Sequence, residues 1–166
     1  MEDSGYTKEV LSHQYTEKSK QNVGVFIGCT SYTYNLIGID EWNKGNYVTP
    51  NSLPWSLANR ISFLFNFNGP SVTLDTACSS SLTALHIACQ SLKNGDCSTA
   101  IVGGVNLYTH PNKYVLFSQL HMLSPTGKCH AFSIDADGFV PGEGVASLLL
   151  KPLKEAKKSK DHIYGI

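Results

Sequence analysis

At 166 residues, with 42% hydrophobic and 16% charged side chains and 13 basic residues against 13 acidic ones, the chain has the make-up of one compact domain rather than a disordered tail. A chain of that length buries roughly two thirds of its unfolded surface, so a sizeable apolar core needs neither disulfides nor a metal. Zero formal net charge, with no lysine or arginine stripe, excludes the electrostatic footprint of a nucleic-acid binder.

The opening Met1-Glu2-Asp3-Ser4-Gly5 is acidic and polar, unlike the basic-then-apolar start of a secretory signal. Residues 6–20 are polar and read as the end of a helix followed by a surface loop. Residues 23–28 form a short apolar run, rich in β-branched residues and closed by Gly28, which predicts a buried central strand. Ser52 is placed to cap a helix over 52–67, with Pro54 in its first turn, Leu57, Ile61 and Leu64 on one stripe, and Gly69-Pro70 as its stop. Gly69 is expected to take the left-handed conformation that ends a helix.

Residues 71–76 alternate with period two and predict a strand. Residues 79–94 then place Leu82, Leu85, Ala88 or Cys89, and Leu92 on one helical stripe ended by Gly95. Residues 100–104 predict another buried strand, whose Gly103-Gly104 should permit close packing against the next layer. Pro111 opens a helix carrying Leu116, Leu120 and Leu123, and residues 145–150 predict one more strand. The lysine-rich residues 151–160 read as a solvated face rather than a docking patch, and residues 162–166 as the opening of a further strand. Alternating strands and helices imply an α/β layered fold.

No apolar run approaches the ~20 residues of a membrane-spanning helix, so no membrane partner is expected. The five cysteines, Cys29, Cys78, Cys89, Cys97 and Cys129, are odd in number and show no CxxC spacing, which argues against a disulfide framework and a zinc knuckle and for a reducing, cytoplasmic setting. Residues 133–138 with Glu143 have some character of a calcium loop, but the register fails: position one falls on Ser133 and position twelve on Gly144. No metal site is expected.

The segment Asp75-Thr76-Ala77-Cys78-Ser79-Ser80-Ser81-Leu82 places a cysteine where a strand hands over to a helix, among small residues that allow a tight turn. The unpaired amides and dipole of a helix's first turn favour negative charge, and so favour a thiolate. The same amides can receive the oxyanion formed when that thiolate attacks a carbonyl. A buried structural cysteine is the alternative reading. His86, the histidine nearest in sequence, lies about 12 Å further along the same helix and cannot serve as a base touching Cys78.

The run from Asp75 through Leu82 to Thr83-Ala84-Leu85-His86 resembles the active-site signature of the β-ketoacyl synthase domains of bacterial modular polyketide synthases. In order and spacing the resemblance continues through Gly24-Val25-Phe26-Ile27-Gly28, Ala58-Asn59-Arg60-Ile61-Ser62, Gly69-Pro70-Ser71 and Ala100-Ile101-Val102-Gly103-Gly104-Val105-Asn106. Met122-Leu123-Ser124-Pro125-Thr126-Gly127-Lys128-Cys129 and Ala136-Asp137-Gly138-Phe139-Val140-Pro141-Gly142-Glu143-Gly144 complete it. Pro141 ahead of Gly142-Glu143-Gly144 is similar to synthases whose acyltransferase acts in trans.

The resemblance implies a thiolase-like layered α/β/α fold, dimeric in the intact domain. It also implies that Cys78 is the catalytic nucleophile, whose backbone amide is an oxyanion donor, with Asp75, Thr76, Ala77, Ser79, Ser80 and Ser81 supporting the nucleophile turn. Met122, Gly142, Glu143 and Gly144 would belong to an active-site loop, with Gly138, Gly142 and Gly144 needing permissive backbone angles. No cofactor is bound by the chain itself; the acyl substrate arrives on the phosphopantetheine arm of an acyl carrier protein, for decarboxylative condensation with a malonyl unit. The family's two histidine motifs, of the HGTGT and GH types, do not occur in this sequence. The expectation is therefore an interior part of the synthase, residues 1–166, lacking its first strand and C-terminal half. A fatty-acid β-ketoacyl synthase and a non-catalytic structural or interaction fragment are the alternatives.

Overall fold

The computed structural model describes residues 2–6 and 22–166. The predicted helix end and loop at 6–20 therefore lie outside the described residues, except for Tyr6. In chain order the elements are a 3-10 turn at Glu2–Ser4, β1 (Val23–Cys29), α1 (Tyr34–Asn43), α2 (Trp55–Phe65), β2 (Ser71–Leu74), α3 (Ser80–Asn94), β3 (Thr99–Asn106), α4 (Asn112–Gln119), β4 (Gly144–Leu150) and α5 (Leu153–Ser159). They divide into two compact units. Met1–Thr30, Leu53–Val105 and Val145–Ile166 form the first, and Ser31–Ser52 with Asn106–Gly144 the second.

The first unit is built on a sheet of order β2-β1-β3-β4. β1 runs parallel to β2, with Val25 opposite Ser71, and parallel to β3, with Val23 opposite Thr99. Every residue of β1 is buried, as expected of a central parallel strand covered on both faces. Successive side chains alternate between two cores. Val23, Val25 and Ile27 pack with Ala58 and Phe67, whereas Phe26 packs with Ala84, Ala88, Cys97, Ala100 and Val102. Helix α2 thus covers one face of β1 and α3 the other.

Both helices bury small residues against the sheet, with most of each expected stripe beside them: Leu57 and Ile61 of α2 and Leu85, Ala88 and Leu92 of α3 pack in the two cores, whereas Leu64 and Leu82 do not. α2 buries Ser56, Ala58 and Ser62, with Leu57 and Ile61 partly buried beside them and Leu64 73% exposed. Hydrogen bonds draw it close: Ser62 Oγ donates to Ser71 Oγ (3.0 Å), Ser71 Oγ to Asn59 Oδ1 (2.7 Å) and the Ala58 amide to Thr73 Oγ1 (3.3 Å). α3 buries Ser80, Ala84, Ala88 and Ser91 and leaves Leu82 70% exposed.

The ends of α2 also differ from expectation. Pro54 occupies the cap position and Ser52 does not, and the left-handed residue closing the helix is Asn66 (φ 55°) rather than Gly69. Gly69 is constrained by close approach instead: a Cβ there would lie 2.6 Å from the carbonyl carbon and oxygen of Val23 and 2.7 Å from the Gly24 amide. Gly69→Val is expected to lower stability by about 1–3 kcal/mol, the usual range for an overpacked site, read as an earlier urea midpoint; a variant with the parent's midpoint contradicts the contact. Gly95 does close α3 in the left-handed conformation (φ 80°), as predicted.

The strand read at 145–150 forms as β4, with Val145 and Leu148 exposed at the sheet edge. Residues 162–166 form no strand. Within the lysine-rich stretch most lysines face solvent, but Lys151 Nζ donates to Tyr6 Oη (2.8 Å), Ser159 Oγ (2.9 Å) and Asp161 Oδ2 (2.8 Å). Burial works against its charge, yet the hydrogen bonds to Asp161 and Tyr6 outweigh it and hold the ammonium above the usual lysine range.

In the second unit α1 has no counterpart among the sequence expectations. Its mid-helix Gly38 hides the element, and a Cβ at that position would lie 2.5 Å from Pro50 Cδ. α4 starts after Pro111 as read, but ends at Gln119, so Leu120 caps it and Leu123 pairs with Phe139 outside the helix. His110 Nε2 lies 3.1 Å from Asp40 Oδ2, and its Nδ1 accepts the Asn112 amide at 3.2 Å. Among the described residues no helix is long and apolar enough to cross a membrane.

Candidate active site

The turn between β2 and α3 is held by two backbone bonds, from the Ser79 amide to Thr76 O (3.3 Å) and from the Ser80 amide to Ala77 O (3.1 Å), and by side-chain hydroxyls and one carboxylate. Asp75 Oδ1 accepts the Ala77 amide at 2.8 Å, the short-range bond by which aspartate favours turns. Ser79 Oγ donates to Thr76 O (2.8 Å) and lies 2.9 Å from Thr76 Oγ1, which in turn meets Thr83 Oγ1 at 3.0 Å. Ser80 Oγ accepts the Thr76 amide at 2.9 Å and donates to the Ala77 carbonyl at 2.6 Å. Thr30 Oγ1, just beyond β1, donates to that same carbonyl at 3.1 Å and lies 3.1 Å from Ser80 Oγ.

Within this lattice Ala77 adopts φ 55°, a left-handed conformation costing a β-carbon-bearing residue on the order of 1 kcal/mol. The surrounding bonds hold it there. Cys78 follows immediately, and among the described residues its Sγ takes part in none of these bonds and its side chain is exposed. Ser79, the N-cap of α3, makes no side-chain cap bond; the Ser80 amide turns back to the Ala77 carbonyl at 3.1 Å, and the other first-turn amides can serve a ligand or water. The arrangement presents an accessible thiol beside donors suited to a developing oxyanion. Asp75, Thr76, Ala77, Ser79 and Ser80 thus make the hydrogen bonds of the turn that carries Cys78. Ser81 faces the sheet, where a Cβ at Gly104 would meet its own Cβ at 3.1 Å.

Thr30 and Thr83 were not legible as partners of the turn. Thr83 carries only a helical spacing, and Thr30 stands 47 residues before Ala77, brought beside it by the parallel pairing of β1 with β2. The other candidate residues, Met122, Gly142 and Glu143, sit in the second unit, and Gly144 opens β4. There Glu143 Oε1 accepts the Tyr108 amide and the Gly142 carbonyl accepts Asn106 Nδ2 at 2.7 Å, bonds that fasten a loop. Of the three glycines expected to need permissive angles, only Gly138 does (φ 143°); Gly142 and Gly144 do not. Asp137, once weighed as a calcium ligand, is held below the usual carboxylate range by hydrogen bonds from Ser124 and Thr126. Among the described residues no three His, Cys, Asp or Glu side chains gather as a metal ion would require.

The thiols differ sharply in setting. Cys29 and Cys97 are buried, Cys89 is partly buried, and Cys78 and Cys129 are exposed. Burial pushes the Cys97 thiol up from its ordinary value, while Cys129 Sγ accepts the Val140 amide at 3.2 Å and is held in a loop. Cys78 is therefore expected to react first with iodoacetamide. Peptide mapping after partial alkylation checks the order, and Cys129 reacting ahead of Cys78 contradicts it.

The family model described as "Beta-ketoacyl synthase, N-terminal domain" matches residues 1–156, and the chain belongs to that family. Polyketide synthase PksL of Bacillus subtilis (strain 168) is 49% identical over 166 residues, which is 100% of this chain and 4% of PksL. Among solved structures, the oxazolomycin ketosynthase domain OzmH KS7 of Streptomyces albus JA3453 superposes with a TM-score of 0.86 at 42% identity, covering 97% of this chain and 28% of that one. The ketosynthase from module 6 of the bacillaene synthase of Bacillus subtilis 168 gives 0.83 at 41% identity, covering 99% and 26%. The chain has the layered, thiolase-like α/β fold of these ketosynthases and spans about a quarter of their length.

Proposed function

We propose that this chain is the nucleophile-bearing part of a polyketide β-ketoacyl synthase, and that Cys78 accepts the growing acyl chain. The Cys78 thiolate adds to the carbonyl carbon of an acyl thioester carried on the phosphopantetheine arm of an acyl carrier protein. The carbonyl π electrons move to oxygen, and the oxyanion is received by the Cys78 amide and the first turn of α3. Collapse of the tetrahedral adduct breaks the bond to the phosphopantetheine sulfur, which leaves as the thiolate and takes up a proton. The acyl group then rests on Cys78 as a thioester. In the intact, dimeric domain a malonyl-derived carbanion, formed with loss of carbon dioxide, attacks that thioester and releases the Cys78 thiolate.

One observation carries the reading: an exposed cysteine at a hydroxyl-locked turn between β2 and α3, in a chain of the β-ketoacyl synthase family. Polyketide chemistry is favoured over fatty-acid synthesis by the relatives, since PksL is named a polyketide synthase and the structural neighbour a ketosynthase from module 6 of the bacillaene synthase. The test follows release of the carrier-protein thiol from an acyl carrier protein thioester. Cys78→Ala is expected to slow release by at least about 100-fold, as loss of a covalent nucleophile does. Release at the parent rate overturns the assignment.

A further inference from the structure

Ala77 O and Cys78 N belong to one peptide unit. Because that unit is planar and trans, the direction of its carbonyl fixes the direction of its N–H on the opposite side. The Ala77 carbonyl is gripped from two elements: by Ser80 Oγ at 2.6 Å and the Ser80 amide at 3.1 Å from α3, and by Thr30 Oγ1 at 3.1 Å from the end of β1. Each hydroxyl has one proton. Either both protons point at Ala77 O, or Thr30 donates to Ser80 Oγ, 3.1 Å away, while Ser80 donates to Ala77 O. In either arrangement the carbonyl is held.

We propose that Thr30 is a positioning residue for acyl transfer: with Ser80 it fixes the Ala77 carbonyl, and so aims the Cys78 amide at the oxyanion. The inference rests on the assignment of Cys78 as acyl acceptor. Thr30 contacts neither the thiol nor the acyl group; it acts through the peptide plane. β1 is buried along its whole length, so Thr30 ties the turn to a strand packed on both faces. Ser80 alone would leave the carbonyl anchored only to the helix it begins. Without the tie to β1 the peptide can tilt together with the first turn of that helix, and tilting carries the Cys78 N–H away from the oxyanion.

Two reactions of the same thiol separate aiming from mere folding. Acylation by an acyl-pantetheine thioester passes through an oxyanion. Alkylation by iodoacetamide displaces iodide at a saturated carbon and forms none. Thr30→Val keeps the shape and removes the hydroxyl. It is expected to slow acylation at Cys78 about tenfold, a modest share of what an oxyanion donor supplies, while the alkylation rate stays within about twofold of the parent. Thr30→Ser restores the hydroxyl and is expected to restore acylation. Equal losses in both reactions, or no loss in either, overturn the positioning role. If Thr30→Val fails to fold, Thr30→Ser against Thr30→Ala gives the same comparison, with the ratio of acylation to alkylation as the readout. A parent chain that takes no acyl group at Cys78 overturns the nucleophile assignment, and this inference falls with it; Thr30→Val acylated as fast as an acylating parent overturns this inference alone.

Discussion

Gly28→Val is expected to cost the chain about 3 kcal/mol or more of stability, the upper end of what overpacking a core does. A Cβ on Gly28 would stand 2.6 Å from the carbonyl carbon of Ser80, 2.7 Å from the Ser81 amide and 2.8 Å from the Ser80 carbonyl oxygen. These are backbone atoms of the first turn of α3, so no rotamer change relieves the clash. Helix α3 would have to withdraw from β1, and its small inner face of Ser80, Ala84 and Ala88 would lose contact with Phe26 and its neighbours. Against the 5–15 kcal/mol that holds an ordinary domain together, the loss is severe. The same displacement pulls Ser80 from the Ala77 carbonyl, so acyl transfer should fall in whatever fraction remains folded. Urea unfolding followed by circular dichroism reads the effect, and a Gly28→Val chain with the parent's midpoint contradicts the close approach.

Once acylated at Cys78, the 166-residue chain is expected to show no measurable condensation with a malonyl carrier protein. Acylation needs a thiolate and at least one oxyanion donor, which the turn supplies. Decarboxylation of a malonyl thioester builds enolate charge, and positioned donors or acid–base groups of the kind it needs are each worth roughly 100-fold or more. The histidine motifs to which the family owes that step are not in this sequence. His86 is exposed on α3, about 12 Å of helix beyond Cys78, and His110 is engaged by Asp40 and the Asn112 amide. Carbon dioxide release together with the appearance of a β-ketoacyl product is the readout. Condensation that is lost in Cys78→Ala would mean that one of the six histidines present does this work.

The layered α/β fold was legible because β1, β2, α3 and β3 each carry a local signal: an unbroken apolar run, a period-two alternation, a helical stripe closed by Gly95. The strand-to-helix turn that carries Cys78 was legible for the same reason, since a run of small residues between a period-two strand and a helical stripe is a local pattern. Long-range geometry was not. Spacing showed which residues of α2 and α3 share a face. It did not show that the sheet would choose serine and alanine over Leu64 and Leu82, a choice set by how near Gly28 and the Ser62–Ser71 hydrogen bond bring the helices. Gly69 was read as a helix stop from its place before Pro70, whereas its constraint comes from Val23. α1 was missed because Gly38 interrupts a helix with no apolar periodicity. Thr30 was missed because nothing near it in sequence names Ala77 as its partner.

The most direct test of the account is the location of the acyl group itself. The chain is incubated with an acyl-pantetheine thioester, digested under conditions that keep thioesters intact, and each of the five cysteine-containing sites is examined by mass spectrometry for the added acyl mass. The account predicts that the acyl mass appears at Cys78 first and at no other thiol while Cys78 remains partly free. An acyl group accumulating at Cys129 or Cys89 while Cys78 stays unmodified would contradict it.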